Sequence, residues 1–308
     1  MGVEIVKVKT VDDGMRLNRW FLKYYPGLGI GRLQKLLRTK QIKVDGKKAE
    51  SNTRLEAGQE IRVPPLDNEK QVPEVRVISA KDRDFMQGLV IFKDQNIIAL
   101  NKPSGLAVQG GSNTYRHIDG MLEALQFEAA EKPRLVHRID KDTSGILLLA
   151  RNRQTADLLT KAFREHTLPK TYLALTAGCP KPQAGEVKAP LEKIGEKSQV
   201  TAEGKKAVTL YRVIDAAGEK FALIEASPLT GRTHQIRAHL EYIGCPIVGD
   251  DRYFGAERKR FASLSDKLHL HAYKIDLSRL YNKKLIITAP LPAHFKNSLN
   301  ALGINFKE

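Results

Sequence analysis

The chain has 308 residues, 42% of them hydrophobic, which is enough for two domains with at least one substantial core. Its 51 Lys and Arg against 35 Asp and Glu give a net charge of +16, so nucleic acid is the leading partner and an acidic membrane surface the second. We find neither an apolar run of about 18 residues nor a basic-then-apolar leader, and therefore expect a cytoplasmic protein with no membrane span or signal peptide. Cys179 and Cys245 lack the CxxC spacing of a zinc site and fit a reducing compartment.

The first part of the chain predicts a small basic domain. Alternating apolar positions in residues 1–15 indicate an N-terminal arm, and residues 16–66 combine two short amphipathic helices with a strand pair around an Asp-Gly turn. Eleven basic and two acidic residues lie between Arg16 and Arg54. A charge run is usually a solvated face, but on compact helices it favours a phosphate-binding surface. The candidate RNA-binding residues here are Arg16, Arg32, Lys35, Arg38, Lys43 and Lys47.

Prolines and charged residues predict a linker over residues 67–86, followed by a second domain over residues 87–308. This domain opens with a hairpin pattern and the segment NKPSGLAVQGG. Its later strand patterns predict a mainly antiparallel sheet, with an amphipathic helix from Thr155 to His166. Residues 181–206 form a polar, basic excursion, for which RNA contact and a solvated insertion are equally acceptable interpretations.

The segment HRIDKDTSGILLLA, residues 137–150, places one carboxylate, Asp140, in a polar turn before an apolar run. The run predicts a buried strand, and a carboxylate at the mouth of such a strand is held firmly enough for catalysis. The simpler interpretation is that Asp140 only caps a turn. The spacing of acidic residues also matches the start of a calcium loop, but Arg151 stands where that loop requires Glu, which excludes calcium.

The motif HRIDKDTSG resembles the signature of the RluA-type family of RNA pseudouridine synthases, which usually has Leu at the position of Ile139. NKPSGLAVQGG, KTYLALTA and HQIR are similar to further motifs of that family, and residues 14–66 resemble the S4 RNA-binding domain. The resemblance implies an α+β fold. In that fold a small S4-like domain is joined to a synthase domain with a mixed, mainly antiparallel sheet flanked by helices.

The resemblance also implies the roles of three catalytic residues. Asp140 carries the reaction, Arg237 pairs with it and keeps it ionised, and Tyr172 stacks on the target base and takes part in proton removal. Arg138 is expected to fill the space that a flipped nucleotide leaves, and Lys170 to steer phosphates. Without the motifs, Asp140 would more often cap a turn, Tyr172 would more often be a core residue and Arg237 a surface cation.

We expect the chain to isomerise specific uridines of large-subunit ribosomal RNA to pseudouridine. Its partner would be that RNA or a pre-ribosomal particle, and the protein is expected to be a monomer. The isomerisation moves no electrons or phosphates, so it requires no cofactor. No metal is expected either, because the pairs His234 with His239 and His269 with His271 lack further ligands at metal-binding spacing.

Three alternatives stay open. They are the same chemistry on transfer RNA, a non-catalytic RNA-binding or ribosome assembly factor, and a glycosidase acting on nucleosides. A glycosidase normally needs two opposed carboxylates, and Asp142 is badly placed to be the second.

A late segment of the chain also resembles the family. It contains Asp250, Asp251 and Tyr253, but the sequence assigns them no role.

Overall fold

The computed structural model describes residues 2–66, 78–110, 116–254, 261 and 264–307. The chain folds as two compact units, Met1–Val77 and Ile78–Glu308, each with its own hydrophobic core. Among the described residues, no helix is both long and apolar enough to cross a membrane.

The first unit packs two helices against a four-stranded antiparallel sheet. Its elements are β1 (Glu4–Lys7), α1 (Leu17–Tyr24), α2 (Ile30–Arg38), β2 (Lys43–Val44), β3 (Lys47–Lys48) and β4 (Glu60–Val63). The strands lie in the order β1, β4, β2, β3. Trp20 and Phe21 of α1 are buried in the core of this unit, as the helical spacing predicts. The predicted arm is not separate, because β1 pairs along β4 and so belongs to the sheet.

The predicted linker is wrong at its C-terminal end. Helix α3 (Ala80–Gly88) begins there, and the Ser79 side chain caps it by accepting a hydrogen bond from the Asp82 N–H. Met86 is fully buried in the core of the second unit, which therefore begins at Ile78. Residues 67–77 of the predicted linker lie outside the described residues. The pattern missed α3 because Met86 is its one buried side chain, so the helix has almost no apolar periodicity.

The second unit is built on a large mixed sheet. Its strands are β5 (Val90–Lys93), β6 (Ile97–Lys102), β7 (Arg134–Leu135), β8 (Ser144–Ala150), β9 (Lys170–Ala177), β10 (Ala184–Lys188), β11 (Leu191–Ile194), β12 (Lys197–Val200), β13 (Val208–Ala217), β14 (Phe221–Pro228), β15 (Leu270–Asp276) and β16 (Ile286–Thr288). Its remaining helices are α4 (Arg153–Arg164), α5 (Gln235–Tyr242), α6 (Ser278–Tyr281) and α7 (Ala293–Leu302), with a 3₁₀ helix over Asp119–Leu125.

The main path of the sheet runs β10, β13, β14, β9, β15, β8, β6, β5, with β16 beside β15 and β7 beside β8. Only β8 and β15 pair in parallel among the described strands, so the predicted mixed, mainly antiparallel sheet is confirmed. The predicted central strand is also confirmed, because all seven residues of β8 are buried. The excursion over residues 181–206 contributes β10 to the edge of the sheet and a separate hairpin of β11 and β12.

The parallel pair brings the turn that contains Asp140 next to β9. Ala272 of β15 is in register with Gly145 of β8 on one side and with Tyr172 of β9 on the other. Gly145 has φ +102, and a Cβ there would lie 2.3 Å from the carbonyl oxygen of Ala272. Glycine is therefore required for β15 to pair directly after the turn that holds Asp140.

His269 precedes β15 and is fully buried. Its Nε2 lies 2.8 Å from the hydroxyl of Ser298 and its Nδ1 lies 3.2 Å from the carbonyl oxygen of Val248. Burial lowers the pKa of His269 to about 4. A neutral ring can donate from Nδ1 and accept at Nε2, so it satisfies both partners.

We expect this histidine to make the fold sensitive to acid. Its folded-state pKa lies below the unfolded value of about 6.5, so between about pH 6.5 and 4 the unfolded chain binds more protons and the free energy of unfolding falls as pH falls. The variant His269→Gln should show a shallower slope of unfolding free energy against pH in urea melts over that range. Equal slopes in the two proteins would contradict the burial of a neutral His269.

Candidate active site

A cleft of about 700 Å³ opens on the second unit between the turn before β8, the start of β9 and the start of α5. Asp140, Tyr172 and Arg237, the three predicted catalytic residues, all line it. Arg138 and Lys170, two of the predicted RNA-binding residues, line it as well. Residues that are far apart in the sequence therefore share one cavity.

The Asp140 turn is held from below by the segment Lys102–Gly105. Lys102 is fully buried, and its ammonium group donates hydrogen bonds to the carbonyl oxygens of Pro103, Leu106 and Lys141 at 2.8 to 2.9 Å. The Gly105 N–H also donates to the carbonyl of Lys141, at 3.0 Å. Burial lowers the pKa of Lys102 to about 7, while the negative charges of the neighbouring aspartates raise it. This buried cation ties the backbone next to Asp140 to β6.

The other side of the turn is held by His137. Its Nε2 accepts a hydrogen bond from the Leu148 N–H of β8 at 2.8 Å, and its ring stacks on Phe163 with centroids 4.1 Å apart. Burial lowers the pKa of His137 to about 3, and the positive charge of Lys170 lowers it further. His137 is therefore neutral at physiological pH and accepts rather than donates at Nε2. The expectation that it is a structural hydrogen-bonding residue agrees with these contacts.

Arg237 lies between two carboxylates. Its Nε and one terminal nitrogen donate to Asp250 at 2.7 Å each, and its other terminal nitrogen lies 3.7 Å from Oδ2 of Asp140. Asp250 is fully buried, whereas 26% of the Asp140 side chain is exposed. Arg237 is thus fixed by Asp250 and presents its remaining edge to Asp140, which stays accessible from the cleft.

Tyr172 is half-buried on β9 beside the cleft. Burial raises the pKa of its phenol, and the negative charge of Asp140 raises it further. The phenol is therefore protonated at physiological pH, and its ring offers a flat apolar surface within electrostatic range of the carboxylate.

The rest of the cleft is positively charged. Beyond Arg237, the basic residues that line it are Arg138, Arg164, Lys170, Lys193 and Arg232. Asp140 is the only acidic side chain among the described residues that line it. Burial lowers the pKa of Lys170, whose ammonium group lies 5.7 Å from the centre of the Phe163 ring. Such a lining attracts a polyanion and leaves one carboxylate to react.

The remaining predicted RNA-binding residues lie in the first unit. Helix α2 buries Leu33, Leu36 and Leu37 and leaves its basic side chains exposed. The exposed basic residues among those predicted are Arg16, Arg32, Lys35, Arg38 and Lys47, and Lys43 is half-buried. Helix α2 therefore has a buried apolar face and an exposed basic face.

The paired histidines have protein partners. The two ring nitrogens of His239 lie 2.8 Å from the Thr209 hydroxyl and 3.0 Å from the Ala189 carbonyl oxygen. His271 lies 2.9 Å from the Ser144 hydroxyl. In the part of the chain that the structure describes, no three His, Cys, Asp or Glu residues form a cluster that could hold a metal ion.

The chain is similar to known proteins over most of its length. Residues 96–242 match the family model described as RNA pseudouridylate synthase. The chain is 39% identical to the ribosomal large subunit pseudouridine synthase C of Rickettsia felis, over 94% of this chain and 97% of that protein. It is 36% identical to the protein of the same name from Vibrio cholerae, over 97% of each. The chain belongs to the RNA pseudouridylate synthase family.

A solved structure agrees with this assignment. Human RNA pseudouridylate synthase domain containing 4 aligns with a TM-score of 0.64 and 29% identity, over 74% of this chain and 99% of that chain. The prediction of a pseudouridine synthase, an isomerase that acts on RNA, is therefore confirmed. The motif layout looks most like the large-subunit synthases of type C, and the two bacterial relatives carry that name. The S4 assignment of residues 16–66 stays a prediction.

Sequence reasoning missed three side chains that support the site of this synthase. The sequence assigns no role to Lys102, which lies in the NKPSG motif, or to Asp250. His234 was considered only as a metal ligand, yet its Nε2 lies 3.8 Å from Oδ2 of Asp140. The signal for His234 was its place in the HQIR motif, three residues before Arg237 and directly before α5.

We expect Lys102→Met to impair the synthase without touching the cleft surface. The change removes three hydrogen bonds, and the Lys141 carbonyl keeps only its bond from the Gly105 N–H while those of Pro103 and Leu106 lose their ammonium donor, which costs about 1–3 kcal/mol of stability. Because the Lys141 carbonyl is adjacent to Asp140, the single-turnover rate of pseudouridine formation should fall by about tenfold or more. Urea melts and a rate measurement test both effects. Lys81→Met, on the exposed face of α3, is the matched control, and equal results for the two variants would contradict the role of Lys102.

Proposed function

We propose that this synthase isomerises specific uridines of large-subunit ribosomal RNA, with Asp140 as the catalytic carboxylate. The observation that carries the proposal is a single acidic side chain in a basic cleft, 3.7 Å from a buried arginine. The choice of ribosomal RNA is supported by the names of the relatives from Rickettsia felis and Vibrio cholerae.

The reaction breaks the bond from N1 of uracil to C1′ of ribose and joins C5 to C1′. One proton leaves C5 and one is gained at N1, so the overall change needs no external oxidant or phosphate donor. Asp140 serves this chemistry either by attacking C1′ or by removing a ribose proton, and both routes require an ionised carboxylate. Arg237 places its positive charge 3.7 Å from Oδ2, where it attracts the negative charge of the carboxylate.

The arrangement around Arg237 keeps Asp140 reactive. The guanidinium makes its two short hydrogen bonds with Asp250 and approaches Asp140 only to 3.7 Å. A tighter bidentate pair with Asp140 would hold that carboxylate in place and reduce its basicity. The buried Asp250 therefore anchors the arginine, and Asp140 makes only a longer ion pair with it, with no hydrogen bond.

The target uridine must leave its stack to reach Asp140, at a cost of roughly a few kcal/mol. We assign Tyr172 as the surface on which the extruded uracil rests, because its ring lines the cleft next to the carboxylate. Its raised phenol pKa makes it a poor proton acceptor, so stacking is its main contribution. Arg138, which is exposed beside the turn, would fill the space that the base leaves.

The basic residues of the cleft would contact phosphates of the flanking nucleotides, and Lys170 is the best placed because it is half-buried in the lining. The first unit would act as the S4-like RNA-binding domain through the outer face of α2. All three catalytic residues come from one chain, so a monomer is sufficient. We propose that it works in the cytoplasm on the RNA or on a pre-ribosomal particle.

A nucleoside glycosidase is less favoured. Inverting and retaining glycosidases use two carboxylates on opposite sides of the sugar. Asp142 is not among the residues that line the cleft, and Asp250 is buried behind Arg237. Neither aspartate is available as the second carboxylate.

We expect Asp140→Asn to abolish catalysis while RNA binding stays nearly intact. The amide can neither attack C1′ nor remove a proton, so the single-turnover rate should fall at least about 10³-fold, equivalent to about 4 kcal/mol of activation free energy. The rate is measured as release of tritium from RNA labelled at C5 of uridine, and binding by filter retention. Asp142→Asn, a carboxylate outside the cleft lining, is the matched control.

The same assay discriminates between the alternatives. Turnover by Asp140→Asn would remove the catalytic assignment, and a wild-type protein inactive on every RNA would favour an assembly factor. Offering large-subunit ribosomal RNA, small-subunit ribosomal RNA and transfer RNA separately tests the substrate. Faster release from transfer RNA would contradict the ribosomal assignment while leaving the chemistry in place.

We expect the basic face of α2 to contribute affinity but not catalysis. The triple variant Arg32→Ala, Lys35→Ala, Arg38→Ala should bind ribosomal RNA more weakly, and the slope of log affinity against log salt should become shallower by roughly 0.7 to 0.9 per lost phosphate contact. The rate at saturating RNA should be unchanged. The control is Lys220→Ala, Lys283→Ala, Lys284→Ala, which removes three exposed charges outside the cleft. Equal salt slopes for both triples would contradict the S4-like role.

A further inference from the structure

We propose that His234 is a positioning residue for Asp140, held in one tautomer by the hydroxyl group of Tyr253. The inference rests on the proposed catalytic role of Asp140. His234 directly precedes α5 and lines the cleft, with 11% of its side chain exposed. Its Nε2 lies 3.8 Å from Oδ2 of Asp140, and its Nδ1 lies 3.1 Å from the Tyr253 hydroxyl.

The hydrogen bonds of Tyr253 favour one tautomer of His234, in which the phenol both accepts and donates. The buried Tyr253 oxygen accepts a hydrogen bond from the Ser198 N–H at 2.6 Å, so its own proton is free to donate elsewhere. Nδ1 of His234 is the partner in reach, and it must be unprotonated to accept that proton. In the neutral ring the remaining proton then sits on Nε2, directed toward Asp140.

The backbone of His234 supports a specific role for the side chain. The residue adopts φ 52 and ψ 22, the left-handed region, which is uncommon for residues other than glycine and costs about 1 kcal/mol or more. Gln235 closes the turn, because its side chain oxygen accepts a hydrogen bond from the Arg232 N–H at 3.1 Å. The chain therefore accepts a strained conformation that directs the imidazole to the cleft.

Two donors approach the same oxygen of Asp140. The shortest contacts of His234 and Arg237 with this carboxylate are both to Oδ2, at 3.8 and 3.7 Å. Two donors on the same oxygen would restrain the orientation of the Asp140 carboxylate once these contacts shorten to hydrogen bonds. The 3.8 Å distance is longer than a hydrogen bond, and catalytic contacts of this kind tighten when substrate fills the site.

Tyr253 supports both neighbours of Asp140. Its ring lies under the Arg237 guanidinium, with 5.0 Å between the guanidinium carbon and the ring centre. Its backbone N–H donates to Oδ1 of Asp250, the same carboxylate that anchors Arg237. One turn, Asp250 to Tyr253, thus places the arginine and the histidine together.

The surroundings of His234 favour a neutral ring that donates from Nε2. Burial lowers its pKa, and the charged groups that face it divide into Asp140 and Asp250, which raise the pKa, and Arg237 and Arg252, which lower it. A positive His234 would also place a proton on Nδ1, where the Tyr253 hydroxyl already donates. The neutral ring therefore fits both of its neighbours.

Two amide substitutions separate positioning from packing. Gln places its amide group near the position of Nε2 and Asn places it near Nδ1, so His234→Gln keeps a donor toward Asp140 and His234→Asn loses it. We expect the single-turnover rate of His234→Asn to fall between about 10-fold and 100-fold, and His234→Gln to recover most of that loss. The RNA dissociation constant should stay within about twofold for both. Equal rates for the two variants, or a loss in affinity alone, would overturn the proposal.

The role of Tyr253 is tested by coupling. Tyr253→Phe removes the hydroxyl and should slow turnover by about tenfold, and the double variant His234→Asn, Tyr253→Phe should be no slower than His234→Asn alone. If the fold-loss in rate of the double variant equals the product of the two single fold-losses, Tyr253 does not act through His234. Tyr211→Phe, whose hydroxyl donates to the Pro182 carbonyl away from the cleft lining, is the control and should keep the wild-type rate.

The tautomer is observable without turnover. Nitrogen NMR of protein labelled in the histidine rings, compared with His234→Gln to assign the signal, should show His234 protonated at Nε2 and not at Nδ1. Protonation at Nδ1 in the wild-type protein would overturn the inference. Failure of the proposed function looks different, because Asp140→Asn would then remain active; an inactive Asp140→Asn with a fully active His234→Asn removes only the present inference.

Discussion

The site depends on one guanidinium shared unequally between two carboxylates. Arg237 is nearly fully buried, and a buried cation is tolerated only when its charge and its donors are met. Asp250 meets them with two hydrogen bonds of 2.7 Å, so the arginine is stable before any RNA is bound. Asp140 then receives electrostatic support from an ion that needs no further partner. Asp140 therefore remains accessible from the cleft beside a positive charge that Asp250 already holds in place.

The sheet is what makes this arrangement possible. Asp140 comes from the turn before β8, Tyr172 from β9 and Arg237 from α5, and the three meet because β15 is inserted between β8 and β9. The insertion requires a parallel pairing immediately after the turn, which Gly145 alone permits by lacking a Cβ. A single glycine in the signature motif therefore has a geometric reason, and it links the local turn to the global topology.

Much of this could be predicted from the sequence. The apolar run of β8, the amphipathic pattern of α4 and the hairpin of β5 and β6 are local signals, and each of these elements is present. Helix α4 begins and ends two residues earlier than predicted, because the Asn152 side chain caps it by accepting a hydrogen bond from the Thr155 N–H. The family resemblance then selected Asp140, Tyr172 and Arg237, and the structure brings all three to one cleft. The distances between these three residues and their hydrogen-bond partners could not be predicted. Periodicity indicates which face of an element is buried but not which residue packs against that face.

The residues that were missed share a physical cause. Lys102 reads as a surface cation, and only the three carbonyls around its ammonium group make it a buried one. Asp250 and Tyr253 lie in a turn whose partners are on α5 and the β11–β12 hairpin, so their function depends on contacts that no spacing rule encodes. Helix α3 was not predicted for a different reason. It is mostly polar and Met86 is its one buried residue, so its sequence shows almost no apolar periodicity.

The Lys102 ammonium group, which donates to the Lys141 carbonyl next to Asp140, has a thermodynamic consequence for which uridines the site accepts. Since the carbonyl groups of Lys141 and Asp142 in this turn accept hydrogen bonds from Lys102, Gly105 and Ser104, the protein itself holds the turn without nucleic acid. The conformational free-energy cost of binding would therefore come mainly from the RNA. One of its nucleotides has to leave the stack and rotate into a site that is already ordered. Uridines in loops and bulges, whose stacking is already weak, would enter such a site fastest, so the secondary structure of the RNA becomes part of the selection.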